Sequence, residues 1–160
     1  MDLLFQKNWT SGSGKSRTFE QINETVSKHS KNNKIFIGSD SFLTKNRTCF
    51  VTAVCLLNEN SGNKYYFYKD YVPTKKYKML SVRITEEVRR SIEIAEYFMN
   101  SHNIAPNDIE LHLDVSPFSA NNGTSRFSDM LKGHVQGYGF ECRLKPNAWA
   151  SQSVADRHSK

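Results

Sequence analysis

The sequence predicts an α/β fold built on one mixed sheet. Three observations predict it. Three strand-like segments follow one another between residues 34 and 72 with only short turns between them. A helical hydrophobic period then runs from about residue 79 to 100, and strand and helix patterns alternate beyond it. Short turns join antiparallel neighbours, whereas strands separated by a crossover helix run parallel. The expected sheet has five strands, a three-strand antiparallel meander joined to two parallel strands, and helices flank it.

Residues 1–17 read as a polar N-terminal leader that ends in the Gly/Ser-rich "NWTSGSGKSR" (8–17). "SGSGKS" invites comparison with a phosphate-binding loop. That motif needs a glycine five residues before Gly14, where Trp9 stands, and no apolar strand precedes it. One domain is expected over residues 18–160. Thr18, with Gln21 three residues later, forms a capping box and opens a short helix through "FEQINETVSKHS".

The first strand, "KIFIGSD" (34–40), carries Ile35, Phe36 and Ile37 before it reaches Asp40. The second, "TCFVTAVCLL" (48–57), is apolar on both faces and reads as central. After the turn "NENSGN" comes a Tyr- and Phe-rich strand, "KYYFYKDYV" (64–72), read as the sheet's aromatic edge and closed by Pro73. Ile84, Val88, Ile92, Ala95, Phe98 and Met99 then share one helical stripe. "IELHLDV" (109–115) is a strand, "SPFSANNG" a loop, and "TSRFSDMLKGHVQGYG" (124–139) a helix. "FECRLK" (140–145) is the last strand, and "AWASQSVADRHSK" closes the chain as a helix.

The 160 residues are 38% hydrophobic and 24% charged, which are globular values, and the formal charge of +6 suits a polyanionic partner. No apolar run approaches the 18 residues of a membrane span. Cys49, Cys55 and Cys142 are odd in number and sit in apolar runs, so free buried thiols in a cytoplasmic protein are expected.

Asp40 ends the first strand and Asp114 lies near the end of the fourth, the side on which α/β sheets gather ligands. On the long helix Glu86 and Glu87 are adjacent, and at 100° per residue Glu87 falls at the margin of the apolar stripe while Glu86 points away. Glu87 is the inward candidate, with Glu86 as the choice if the register slips by one. Asp156 is the only acid of the closing helix. Clustered carboxylates repel unless a cation neutralises them, and oxygen-only sets suit Mg²⁺ or Mn²⁺. Two such ions roughly 3.5–4 Å apart serve phosphodiester hydrolysis.

"IGSDS", "LHLDVSP", "GHVQGYGF" and "KPNAWASQSVADRHSK" resemble a small family of ribonuclease H-like nucleases, the YkuK type of bacteria and their phages. The resemblance spans residues 18–158 and implies the ribonuclease H fold. It implies Asp40, Glu87, Asp114 and Asp156 as catalytic metal ligands, and in-line hydrolysis leaving a 3′-hydroxyl and a 5′-phosphate. RNA, DNA or a hybrid would be the partner.

Several residues have plainer readings. Asp40 and Asp114 taken singly would be turn and loop acids, Asp108 is loop chemistry, and Asp129 suits a helix's first turn. His112 shares a strand face with Asp114, as a neighbour of the site or simply a buried, hydrogen-bonded histidine. Lys145, Arg83, Ser41 and His158 are the candidate substrate contacts, each set against ordinary surface charge or polarity. "TKKYK" (74–78) suits a nucleic-acid backbone or a solvated loop. Other classes stay open: a nucleic-acid-binding module with this fold and no useful catalysis, a protein-binding module using the aromatic edge, or a junction resolvase.

Overall fold

The computed structural model describes residues 3–29, 33–58, 62–116 and 127–159. Most of the loop expected at 116–123, the first residues of the helix expected at 124–139 and the middle of the turn at 58–63 lie outside the described residues. The strands are β1 (Trp9–Ser11), β2 (Ser16–Arg17), β3 (Ile35–Leu43), β4 (Arg47–Leu56), β5 (Lys64–Pro73), β6 (Ile109–His112) and β7 (Glu141–Arg143). They form one sheet in the order β2-β1-β5-β4-β3-β6-β7. β3, β4 and β5 are the antiparallel meander, while β6 runs parallel to both β3 and β7.

The sheet has seven strands rather than the expected five. The difference lies in residues 9–17, which read as a polar leader and instead form a hairpin paired to β5. Trp9 is the cause. It is buried, donates its indole N–H to the Leu4 carbonyl, stacks on Phe19 and meets Tyr68 edge-on. One aromatic anchor in a polar stretch creates no hydrophobic period. The hairpin also makes β5 an interior strand, so the expected aromatic edge does not exist.

Helix α1 (Phe19–His29) starts at the predicted capping box: Gln21 N–H donates to Thr18 Oγ1 at 3.2 Å, and Thr18 N–H to Gln21 Oε1 at 2.9 Å. Helix α2 (Leu80–His102) buries Ile84, Val88, Ser91, Ile92, Ala95 and Phe98, and ends at Asn103 in the left-handed conformation. Helix α3 (Ser128–Gly137) is the crossover between β6 and β7. The chain closes with a π-helical segment, Ala150–Ala155, that runs into α4 (Asp156–Ser159). The core beside α1, α2 and α3 contains Ile35, Ile37, Leu111 and Phe98; a smaller one under the closing segment contains Val51, Ala53, Phe67 and Ala155. All three cysteines are free, two of them buried. Among the described residues no helix is long and apolar enough to cross a membrane.

Gly38 decides how the closing segment meets the sheet. A Cβ at this position would lie 2.6 Å from the Ala150 carbonyl carbon and closer still to the Ser151 nitrogen. Backbone therefore packs directly on backbone, which a glycine inside a strand permits. The same segment is fixed from β6, where the Ala150 N–H donates to His112 Nδ1 at 2.9 Å. His112 in turn contacts Glu110 at 3.0 Å, and Arg143 binds the other oxygen of that carboxylate. His112 is thus a buried, hydrogen-bonded residue that holds the closing segment in place.

Gly38→Ala should destabilise the protein by about 1–3 kcal/mol, because the obstacle is backbone that cannot swing aside. A urea melt against wild type measures this, and an unchanged midpoint would mean that the closing segment shifts freely.

Candidate metal centre

The carboxylates meet where the register predicts. β3 and β6 pair in parallel from Ile35↔Ile109 to Gly38↔His112. Two residues further along each chain stand Asp40 and Asp114. β6 ends at His112, three residues before the strand expected from the sequence, so Asp114 lies just beyond it. The chain still runs alongside its neighbour there: Leu113 N–H donates to the Arg143 carbonyl and Lys145 N–H to the Val115 carbonyl, both at 2.9 Å.

Glu87 reaches the same point from α2. Asp40, Glu87 and Asp114 each place a carboxylate oxygen within 4.8 Å of the others. Asp40 and Glu87 are each only 6% exposed. Ser41 Oγ donates to Glu87 Oε2 at 2.6 Å, and Ser159 Oγ donates to Asp40 Oδ2 at 3.0 Å. Asp156, at the start of α4, is a further acidic neighbour that raises the Asp40 pKa without belonging to the close trio.

Two contacts fix the rotation of α2 that selects Glu87. Ser91 Oγ and Thr52 Oγ1 both lie within hydrogen-bond distance of Ser39 Oγ, at 2.8 and 2.9 Å. Buried Arg90 binds Asp70 on β5 and Glu86 on its own helix, each at 2.8 Å, with its guanidinium over the Phe50 ring. Glu86 is consumed by that network. Burial would raise its pKa, yet Arg89 and Arg90 hold it below the ordinary glutamate value.

The trio is electrostatically strained. Burial pushes Asp40 up to about 7, and the neighbouring carboxyls of Asp114 and Asp156 add to the rise against the opposing Ser159 hydroxyl. Burial also raises Glu87 well above its usual value; Asp40 and Asp114 add to this, while Ser41 and Arg83 oppose it. The donors are all hard oxygens, two are desolvated, and each disfavours its neighbour's charge. A divalent cation relieves all three conditions, so the residues fit one.

Of the candidate substrate residues, Lys145, Arg83 and Ser41 act on members of the trio, whereas His158 is engaged on β5 and is not brought to it. Lys145 Nζ pairs with Asp114 Oδ1 at 3.0 Å. Arg83 donates to the Tyr77 and Lys78 carbonyls and acts on Glu87 through its charge. Ser41 turns its hydroxyl to Glu87. His158 stacks on Phe67 with ring centroids 3.8 Å apart and meets Tyr65 Oη through Nε2 at 2.9 Å. Sequence reasoning missed Ser159 and Gly38. The glycine inside a strand pattern, immediately before "SD", was the available signal for a close backbone approach.

A chain with this mixed sheet and an acidic trio at the carboxyl ends of two parallel strands has the architecture of an α/β protein with a candidate divalent-metal centre. The family described as "Ribonuclease H-like" matches residues 17–160, and the chain belongs to that family. Comparison with curated proteins finds no match.

The trio has a consequence for stability. Between about pH 4 and 7 the metal-free folded chain keeps a proton on Asp40 that the unfolded chain has already released. Stability therefore falls as pH rises through that window and stays low above it. At roughly 1.4 kcal/mol per pKa unit, the ceiling on this loss is about 4 kcal/mol. Metal-free Asp40→Asn should be more stable than wild type at pH 8, and the gap should close toward pH 4. Denaturant melts in chelator across that range measure it. A gap that does not vary with pH would contradict the burial of a strained carboxyl.

Proposed function

We propose that the protein is a metal-dependent nuclease hydrolysing phosphodiester bonds of RNA or RNA–DNA hybrid, with Asp40, Glu87, Asp114 and Asp156 as the ligands of two Mg²⁺ or Mn²⁺ ions. The observation that carries the reading is the convergence of Asp40, Glu87 and Asp114 within 4.8 Å in a chain of ribonuclease H-like family. The resemblance of the blocks around Asp114 and Asp156 to the YkuK type supports it as well. When bound, a divalent cation supplies Lewis-acid activation of water and neutralises charge on the phosphodiester.

The chain's own residues supply the rest. Asp40, fixed by the Ser159 hydroxyl, and Glu87, fixed by Ser41, present oxygens whose orientation is set before ligand arrives. Lys145, paired with Asp114, and Arg83, whose charge acts on Glu87, would receive substrate phosphate oxygens. Ser41 lies beside that path through its bond to Glu87, while His158, stacked on Phe67, takes no part in it. Asp156, an acidic neighbour of Asp40 on the closing helix, would complete the ligand set.

A second reading has one observation in its favour. The Lys145 ammonium already neutralises Asp114 at 3.0 Å, as it would in a nucleic-acid-binding module without useful catalysis. Cleavage assays separate the two. Wild type should cut labelled RNA, DNA or hybrid only with Mg²⁺ or Mn²⁺, and Asp40→Asn and Asp114→Asn should each lower the rate by roughly 100-fold or more. Equal trace activity in wild type and both variants would sink the nuclease reading.

A further inference from the structure

The sheet face that carries Asp40 continues into a row that has an exposed aromatic side chain on either side of a buried cysteine. Side chains alternate along strands, so Asp40 and Phe42 share a face on β3. The register sets Phe42 opposite Cys49 on β4, and Cys49 opposite Tyr71 on β5. Phe42 is 40% exposed and Tyr71 51% exposed, while Cys49 between them is buried. Alternation along β4 and β5 puts Arg47 and Cys49, Lys69 and Tyr71 on this same face. The Arg47 guanidinium lies 4.3 Å from the centre of the Tyr71 ring. One row back, the register places Asp40, Val51 and Lys69 side by side.

We propose that Phe42, Tyr71, Arg47 and Lys69 form a stacking platform for a single-stranded segment of nucleic acid leading to the carboxylate trio. The inference rests on the nuclease reading and narrows its substrate class. The two rings sit two strand spacings apart, roughly 9–10 Å. Successive stacked bases of a duplex strand are only about 3.4 Å apart and turn their faces to each other, so neither ring could reach them. An unstacked strand offers a base face to each ring, and Arg47 and Lys69 match its phosphates in charge. The platform adjoins the trio by a single row of the sheet, so a strand lying on it runs directly to Asp40.

Fluorescence anisotropy with labelled single-stranded RNA, single-stranded DNA and the matching duplexes tests this, with Ca²⁺ replacing Mg²⁺ to hold the strand uncut. Wild type should prefer single strands. Tyr71→Ala and Phe42→Ala should each weaken that binding by roughly 5- to 150-fold, and Tyr71→Phe, which keeps the ring, should restore it. Arg47→Ala should reduce the salt slope by about one ion. The RNA and DNA arms report which sugar is preferred. Alanine variants that bind and cleave like wild type would overturn the platform and leave the nuclease standing. A wild type that neither binds nor cleaves would remove both.

Discussion

Three carboxylates that repel one another are held together at the carboxyl ends of two parallel strands, and much of the surrounding structure serves to hold them. A buried acid without a cation favours either protonation or escape to solvent. Escape is blocked here from both sides of the sheet. On the α2 side, the Ser39–Ser91 contact and the Arg90 network set the helix rotation, and Ser41 fixes the Glu87 carboxyl. On the other side, the closing segment rests backbone-to-backbone on Gly38 and delivers Ser159 and Asp156 to Asp40. Protonation remains available, and the raised values of Asp40 and Glu87 express it.

The two clamps differ in kind. The α2 clamp is ionic and hydroxylic, and its charges are paired away from the site: Glu86 with Arg89 and Arg90, Asp70 with Lys7 and Arg90. That pairing matters because an unpaired cation beside the trio would compete with a metal ion. The closing clamp is steric, and it transmits the position of β6 through His112 to Ala150. Lys145 is the one cation paired directly to a member of the trio among the described residues, and its target is Asp114, the most exposed of the three. A metal ion and a phosphate can share that carboxylate's neighbourhood more readily than they could share Asp40.

Much of this was legible in the sequence because periodicity and element order are local signals. The meander, the long helix and the strand-end acids follow from apolar runs, short turns and a 3.6-residue stripe. Glu87 over Glu86 followed from helix geometry alone, and the structure gives the reason that Glu86 is otherwise engaged. The hairpin at 9–17 was not legible, because Trp9 is anchored by residues distant in sequence, Tyr68 among them. Ser159 was equally hidden: a serine near a chain end acquires meaning only when Gly38 brings its helix onto the sheet. The stacking face was obscured by composition. Tyr66, Phe67 and Tyr68 are buried while Tyr71 is exposed, and β5 shows that difference only after its partners are known.

Calorimetric titration of Mn²⁺ into the metal-free protein near pH 6.5 asks whether the buried trio takes a divalent ion, with wild type, Glu87→Gln and Glu86→Gln compared in buffers of different ionisation enthalpy. Wild type should bind Mn²⁺ with proton release, since Asp40 and Glu87 must ionise to receive the ion. Binding should be retained in Glu86→Gln and lost or strongly weakened in Glu87→Gln. No Mn²⁺ binding by wild type, or equal binding by both glutamine variants, would contradict binding at the trio.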